Sequence, residues 1–183
     1  MNLQLERMEL REIELPLKWP FETSFGRTTR RRILIVRVFD KEGASGYGEC
    51  VAGENPFFNH ETIDTAWLIT TRYVAPFLAA ARVESAAQVS HALSAIRENR
   101  MAKAGVEAAI WDLEAKIAQT PLWRHINGTR AEITCGVSIG LQSSTEELLH
   151  KVGREVESGY QRIKIKIKPG KDIQLVEAIR KQF

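Results

Sequence analysis

From Arg162 to Lys168 the chain reads Arg-Ile-Lys-Ile-Lys-Ile-Lys, a strict two-residue alternation. A strand turns successive side chains to opposite faces, so Lys164, Lys166 and Lys168 share one face while Ile163, Ile165 and Ile167 share the other. A sheet facing solvent tolerates that pattern, but the neighbouring sequence narrows the choice. Residues 133–139 read as a buried strand, 145–157 as a helix, and the stretch from Asp172 as a second helix capped by that aspartate. Strand, helix, strand, helix with short loops predicts parallel βα units. If the strand belongs to a barrel, the isoleucines lie under the helices and the lysines point inward; the pattern alone fits a solvated strand face equally.

The preceding residues follow a different rhythm. Alternation over 5–17, 32–39 and 45–51, interrupted by Pro16, Pro20, Gly26 and the turn Asp40-Lys41-Glu42-Gly43, predicts an antiparallel meander of three strands with an aromatic loop at 21–26. Helical periods follow at about 60–80, 85–98 and 100–119, and Pro121 and Gly128 close the block. In the last of these, Met101, Ala104, Ala108, Trp111, Ala115 and Ala118 recur at spacings of three and four, which makes Trp111 a core residue.

Composition excludes several classes. An apolar share of 44% and a charged share of 27% suit a globular chain. No apolar run approaches the roughly 18 residues that a membrane span needs. The N-terminus lacks a basic segment followed by an apolar one, so a cytoplasmic location is expected. Net charge is only +3, and the one dense basic run, Arg27-Thr28-Thr29-Arg30-Arg31-Arg32, has no interleaved aromatics, which argues against nucleic acid as a partner. Cys50 and Cys135 stand apart, and His60, His91, His125 and His150 are scattered, so none has metal-ligand spacing. The string Gly136-Val137-Ser138-Ile139-Gly140 has the spacing of a nucleophile elbow, but no strand-turn-helix junction or partnered His-Asp set accompanies it.

Five segments carry a resemblance. They are Pro20-Phe21-Glu22-Thr23-Ser24-Phe25-Gly26, Gly48-Glu49-Cys50, Arg100-Met101-Ala102-Lys103-Ala104 through Lys116, Gly136-Val137-Ser138-Ile139-Gly140, and Gly159-Tyr160 through Asp172. In this order the chain resembles the N-terminal half of the enolase superfamily, in its o-succinylbenzoate synthase and N-acylamino acid racemase branch. The resemblance implies an α+β capping domain over residues 1–130, a meander plus helices, followed at 131–183 by the first two βα units of an incomplete (β/α) barrel. Two parallel strands cannot close a barrel, and the last helical pattern is still running at Phe183, so a truncated barrel is expected.

The resemblance also assigns roles. Lys166 corresponds to the acid/base lysine of the family's Lys-x-Lys and Lys164 to the partner that helps hold it and the substrate carboxylate. Ser138 corresponds to a pocket-lining position. Phe21, Ser24 and Phe25 fall in a first specificity loop, and Phe58 falls in a second at Gly53-Glu54-Asn55-Pro56-Phe57-Phe58.

The implied activity is magnesium-dependent abstraction of an α-proton followed by dehydration in menaquinone biosynthesis, a lyase reaction, with N-acylamino acid racemisation, an isomerase reaction, as the alternative. A lysine must be neutral to take that proton, whereas an unperturbed one titrates near ~10.4. A neighbouring ammonium disfavours the charged form, and a Lys-x-Lys supplies one by geometry. In the family Mg²⁺ is bound by carboxylates on three later strands, so its ligands and the second catalytic lysine are expected to be absent from this chain. No metal ligand is assigned here: Glu146, Glu147, Glu155 and Asp172 fall on expected helices. The expected partners are a small carboxylate substrate and either a homo-oligomer or a complementing C-terminal half. The chain by itself is then a noncatalytic or partner-dependent fragment.

Overall fold

The computed structural model describes residues 3–24 and 26–183. Contacts divide the chain into two units, residues 1–15 with 31–129 and residues 16–30 with 130–183.

Three hydrogen-bonded strands in the order β1 (Leu5–Thr23), β2 (Gly26–Asp40) and β3 (Ser45–Cys50) form the antiparallel meander; residues 5–15, 31–40 and 45–50 of it belong to the first unit, and 16–23 and 26–30 to the second. The β2 and β3 strands pair in register from Leu34 opposite Cys50 to Phe39 opposite Ser45. Their turn is held by Asp40, whose Oδ1 accepts from the N–H groups of Glu42 and Ala44, and Gly43 takes the positive φ of 89° that the turn requires. Residues 21–23, expected in an aromatic loop, instead complete β1, and Ser24 is a turn residue. Proline at 16 and 20 does not end this strand.

Helices cover one face of the meander. The first is α1 (Ile63–Ile69), which opens with a reciprocal capping box between Thr62 and Thr65. It widens into a π-helical turn over Thr70–Val74 before α2 (Ala75–Ala81). Pro76 lacks the N–H that a continuous α-helix would return to the preceding turn, and the wider turn lies just where that bond is lost. Short α3 (Val89–Ala92) precedes the long α4 (Arg100–Ile117) and α5 (Leu122–His125).

The buried face of α4 carries Ala102, Gly105, Val106, Ala109, Ile110, Leu113 and Ala115. This corrects the stripe read from sequence: Ala104 and Ala108 are exposed, and Met101, Trp111 and Ala118 are only half-buried. Alanine occurs on several faces of this helix and does not mark the core, whereas the larger Val106, Ile110 and Leu113 do. Trp111 packs at the edge of the core, with the His125 ring edge-on at 6.0 Å between centroids.

The contact between α4 and β3 depends on missing side chains. A Cβ at Gly46 would fall 2.2 Å from the Ala109 carbonyl oxygen, and one at Gly48 would fall 2.0 Å from that of Gly105. Helix backbone therefore lies on strand backbone, and Val36, Val38, Val74, Leu93, Val106, Ile110 and Leu113 fill the core around it. Each such side chain contributes about 1.5–3 kcal/mol relative to exposure.

The second unit contains β4 (Gly136–Ile139), α6 (Thr145–Glu157), β5 (Arg162–Ile165) and α7 (Asp172–Gln182). The strands are parallel, with Ser138 opposite Lys164 and Ile139 opposite Ile165. The expected βα order is observed. The first strand is shorter than expected, because Ile133 is 75% exposed and pairing begins only at Gly136. Asp172 begins α7 rather than capping it; Lys171 occupies the cap position and makes no side-chain capping bond. Buried Ile139, Leu148 and Val152 form a small core, with Ile163, Ile165, Leu175 and Ile179 packed against it. No helix among the described residues is long and apolar enough to cross a membrane.

Candidate active site

Strand β5 separates its side chains as the alternation requires. Ile163 and Ile165 pack toward α6 and α7. Lys164 is exposed and Lys166, just past the strand end, is half-buried. Pairing continues to that point, because the Lys166 N–H donates to the Ile139 carbonyl at 3.0 Å. Ser138, as the register partner of Lys164, shares the lysine face.

The same unit includes the end of β1. The Glu22 carbonyl accepts from the Leu141 N–H at 3.2 Å. A Cβ at Gly140 would meet Glu22 backbone at 3.3 Å and the Phe21 ring at 3.8 Å, so a glycine just after β4 admits this segment closely. The Phe21 ring lies over the Lys166 ammonium, 5.8 Å from its centroid. Ser138, Lys164, Lys166 and Phe21 therefore belong to one unit, the lysines on one strand and the phenylalanine beside the second of them. Ser24 is an exposed turn residue, and Phe25 lies outside the described residues. Phe58 belongs to the first unit and is 83% exposed on the loop between Gly53 and Thr62.

The loop after β4 is tied down by polar groups. Gln142 donates through Nε2 to the Gly140 carbonyl at 2.8 Å and accepts from the Lys151 ammonium. Ser144 caps α6 by accepting from the Glu147 N–H. The Ser143 hydroxyl donates to the Glu147 carboxylate at 2.6 Å, and this bond, aided by Lys151, holds that carboxyl below the usual range. Glu147 is thus a loop anchor with its charge already engaged.

A cleft of about 450 Å³ in this unit lies on the isoleucine side, lined by Val152, Ile163, Ile165, Val176 and Ile179. It is on the opposite face of β5 from the lysines and is not the candidate site.

Among the described residues the lysine face gathers no set of side chains suited to magnesium. Neither β4, Gly-Val-Ser-Ile, nor β5, Arg-Ile-Lys-Ile, carries a carboxylate. Among the described residues no three His, Cys, Asp or Glu side chains gather as a metal site. What the lysine face can do unaided is bind an anionic group, and a neutral amine there can move a proton.

The Phe21 contact was not anticipated from the sequence. Its signal was Gly140, a residue without a side chain at the end of a strand that carries candidate site positions.

A helix-covered meander followed by parallel βα units with a lysine face defines the class of capping domain plus barrel start. The profile of the mandelate racemase / muconate lactonizing enzyme family, N-terminal domain, matches residues 7–126, and the chain belongs to that family, within the enolase superfamily. Over 183 residues it is 40% identical to o-succinylbenzoate synthase of Geobacillus kaustophilus, an alignment covering 100% of this chain and 49% of that protein. It is 42% identical over 181 residues to N-succinylamino acid racemase of Thermus thermophilus, covering 99% of this chain and 49% of the racemase. A solved enolase superfamily member from Listeria innocua superposes with a TM-score of 0.91 at 42% identity, covering 100% of this chain and 49% of the other. The chain spans about half the length of the curated relatives it matches. One solved structure of this fold holds magnesium.

Proposed function

We propose that this chain supplies the lysine side of an o-succinylbenzoate synthase active site. Residues 1–130 act as the capping domain and 131–183 as the start of the barrel domain. Lys166 is the acid/base group that takes the proton α to the substrate carboxylate, after which water is lost. Lys164 steadies that lysine and the carboxylate; Ser138, Phe21, Ser24, Phe25 and Phe58 contact the rest of the substrate. The observation that supports this most is the placement of Lys164 and Lys166 on the strand face turned away from the isoleucines, with Phe21 over Lys166.

Magnesium is required in this reading and is held by carboxylates outside these 183 residues. The partners in this reading are a small carboxylate substrate and either further copies of the chain or a complementing C-terminal half, in the cytoplasm. Racemisation of N-succinylamino acids is the second reading, favoured by the 42% identity to the Thermus thermophilus racemase. Both begin with the same proton abstraction.

The test is a chimera in which this chain replaces the matching half of the Geobacillus kaustophilus synthase. Metal-dependent formation of o-succinylbenzoate, lost on Lys166→Ala, supports the first reading. Exchange of the α-hydrogen of N-succinylamino acids without dehydration supports the second. A folded chimera with neither activity, or one indifferent to Lys166→Ala, overturns both.

A further inference from the structure

Glu61 is 3% exposed, and no catalytic role has been given to it. Its carboxylate accepts from the Met101 N–H on both oxygens, at 3.0 Å each, and from the Ala102 N–H at 3.1 Å. These donors belong to the first turn of α4, where backbone N–H groups have no partner within the helix. The helix cannot satisfy them itself. Its N-cap, Asn99, has a positive φ of 49° and makes no side-chain capping bond, its amide donating to the Arg97 carbonyl instead. No acidic residue occupies the first turn of α4. A carboxylate from elsewhere in the chain thus fills both the hydrogen-bonding and the electrostatic requirement of that helix end.

The same residue closes a loop. Gly53 and Thr62 form a backbone bridge, and the Ile63 N–H donates to the Gly53 carbonyl at 2.9 Å. Within the loop, Asn59 Oδ1 accepts from the Glu61 N–H at 3.0 Å. The neck is therefore paired and its C-terminal limb is fixed to α4 through Glu61. Beyond it the tip displays Phe57 at 79% and Phe58 at 83% exposure. Large aromatics held on an ordered loop lose little freedom on binding, which favours recognition of an apolar group.

We propose that Glu61 is a positioning residue that pins the 53–62 loop to α4 so that its aromatic tip is preorganised for the apolar part of the substrate. The substrate part of this statement rests on the function proposed above; the pinning does not. Hydrogen exchange on the full 183-residue chain separates the two. Glu61→Gln keeps the shape but loses the charge, and amides of 53–62 are expected to exchange about tenfold faster, as loss of a charged hydrogen bond implies. Asn59→Ala, which leaves the buried carboxylate in place, is expected to give a smaller acceleration in the same loop. Amides of 106–113 in the middle of α4 should change by less than about twofold. Acceleration spread evenly over α4 and β2, or none in the loop, overturns the pinning. In the chimera, Glu61→Gln is expected to raise KM about tenfold with kcat nearly unchanged. A fall in kcat at constant KM overturns the substrate role. If the parent chimera is inactive, the activity reading has failed, and exchange in the 53–62 loop still decides whether Glu61 pins it.

Discussion

The Lys166 ammonium lies 5.8 Å from the centroid of the Phe21 ring. A cation over an aromatic face at a partly exposed site is worth about 0.5–1 kcal/mol. In the active chimera, Phe21→Leu is therefore expected to reduce kcat about two- to fivefold. Lys166→Ala, which on the proposed function removes the proton-transfer group, is expected to cost about 10²–10⁴-fold. Steady-state kinetics of both variants check the ratio; equal losses would mean that Phe21 does more than steady the ammonium.

Gly48 and Gly43 should respond to alanine in different ways. At Gly48 a Cβ would meet the Gly105 carbonyl at 2.0 Å, whereas at Gly43 there is open space and only the positive φ resists. We expect Gly48→Ala to destabilise the fold by about 3 kcal/mol, since α4 must move off the sheet. Gly43→Ala should cost about 1 kcal/mol through its backbone conformation alone. Urea denaturation of the two variants measures the difference, and equal midpoints would refute the close-approach explanation.

Arg32 ties the meander to the start of α1. It donates to Glu12 at 2.7 and 3.1 Å and to Asp64 at 2.8 Å. The hydrogen bond from Arg32 holds the Glu12 carboxyl below its ordinary range. A carboxylate whose folded value is depressed contributes stability above its unfolded value of about 4.3, and loses it as pH falls through the folded value. The melting temperature of wild type should exceed that of Glu12→Gln at neutral pH, and the two should converge as pH drops below about 4. A gap that persists unchanged at acid pH would count against the ion pair as its cause.

The two thiols should differ in reactivity. Cys50 is 1% exposed and burial pushes its thiol up, while Cys135 is exposed. Thiolate is the reactive form, so native protein should consume one equivalent of an aromatic disulfide reagent rapidly and the second only on unfolding. Two equal fast phases would contradict the burial of Cys50.

Much of this architecture was legible where one residue pattern had one meaning. The limits of α6 at Thr145 and Glu157 follow from the Ser144 cap and the spacing of Leu148 and Val152. The β5 alternation by itself separates isoleucines from lysines. Legibility failed where residue types were ambiguous. Alanines on several sides of α4 misplaced its buried stripe onto Ala104 and Ala108, and Ile133 suggested a strand that begins three residues later. The Glu61 cap on Met101 and the Phe21 contact with Lys166 join residues far apart in the chain, and local periodicity carries no information about such pairs.

Phe21 precedes nearly all of the residues read as the capping domain, yet it shares a unit with Lys166. Recombination that exchanged the first 130 residues between relatives would therefore replace the ring over the lysine while leaving Ser138, Lys164 and Lys166 untouched. Exchange of the N-terminal segment alone can then alter what faces Lys166, with β5 passed on unaltered.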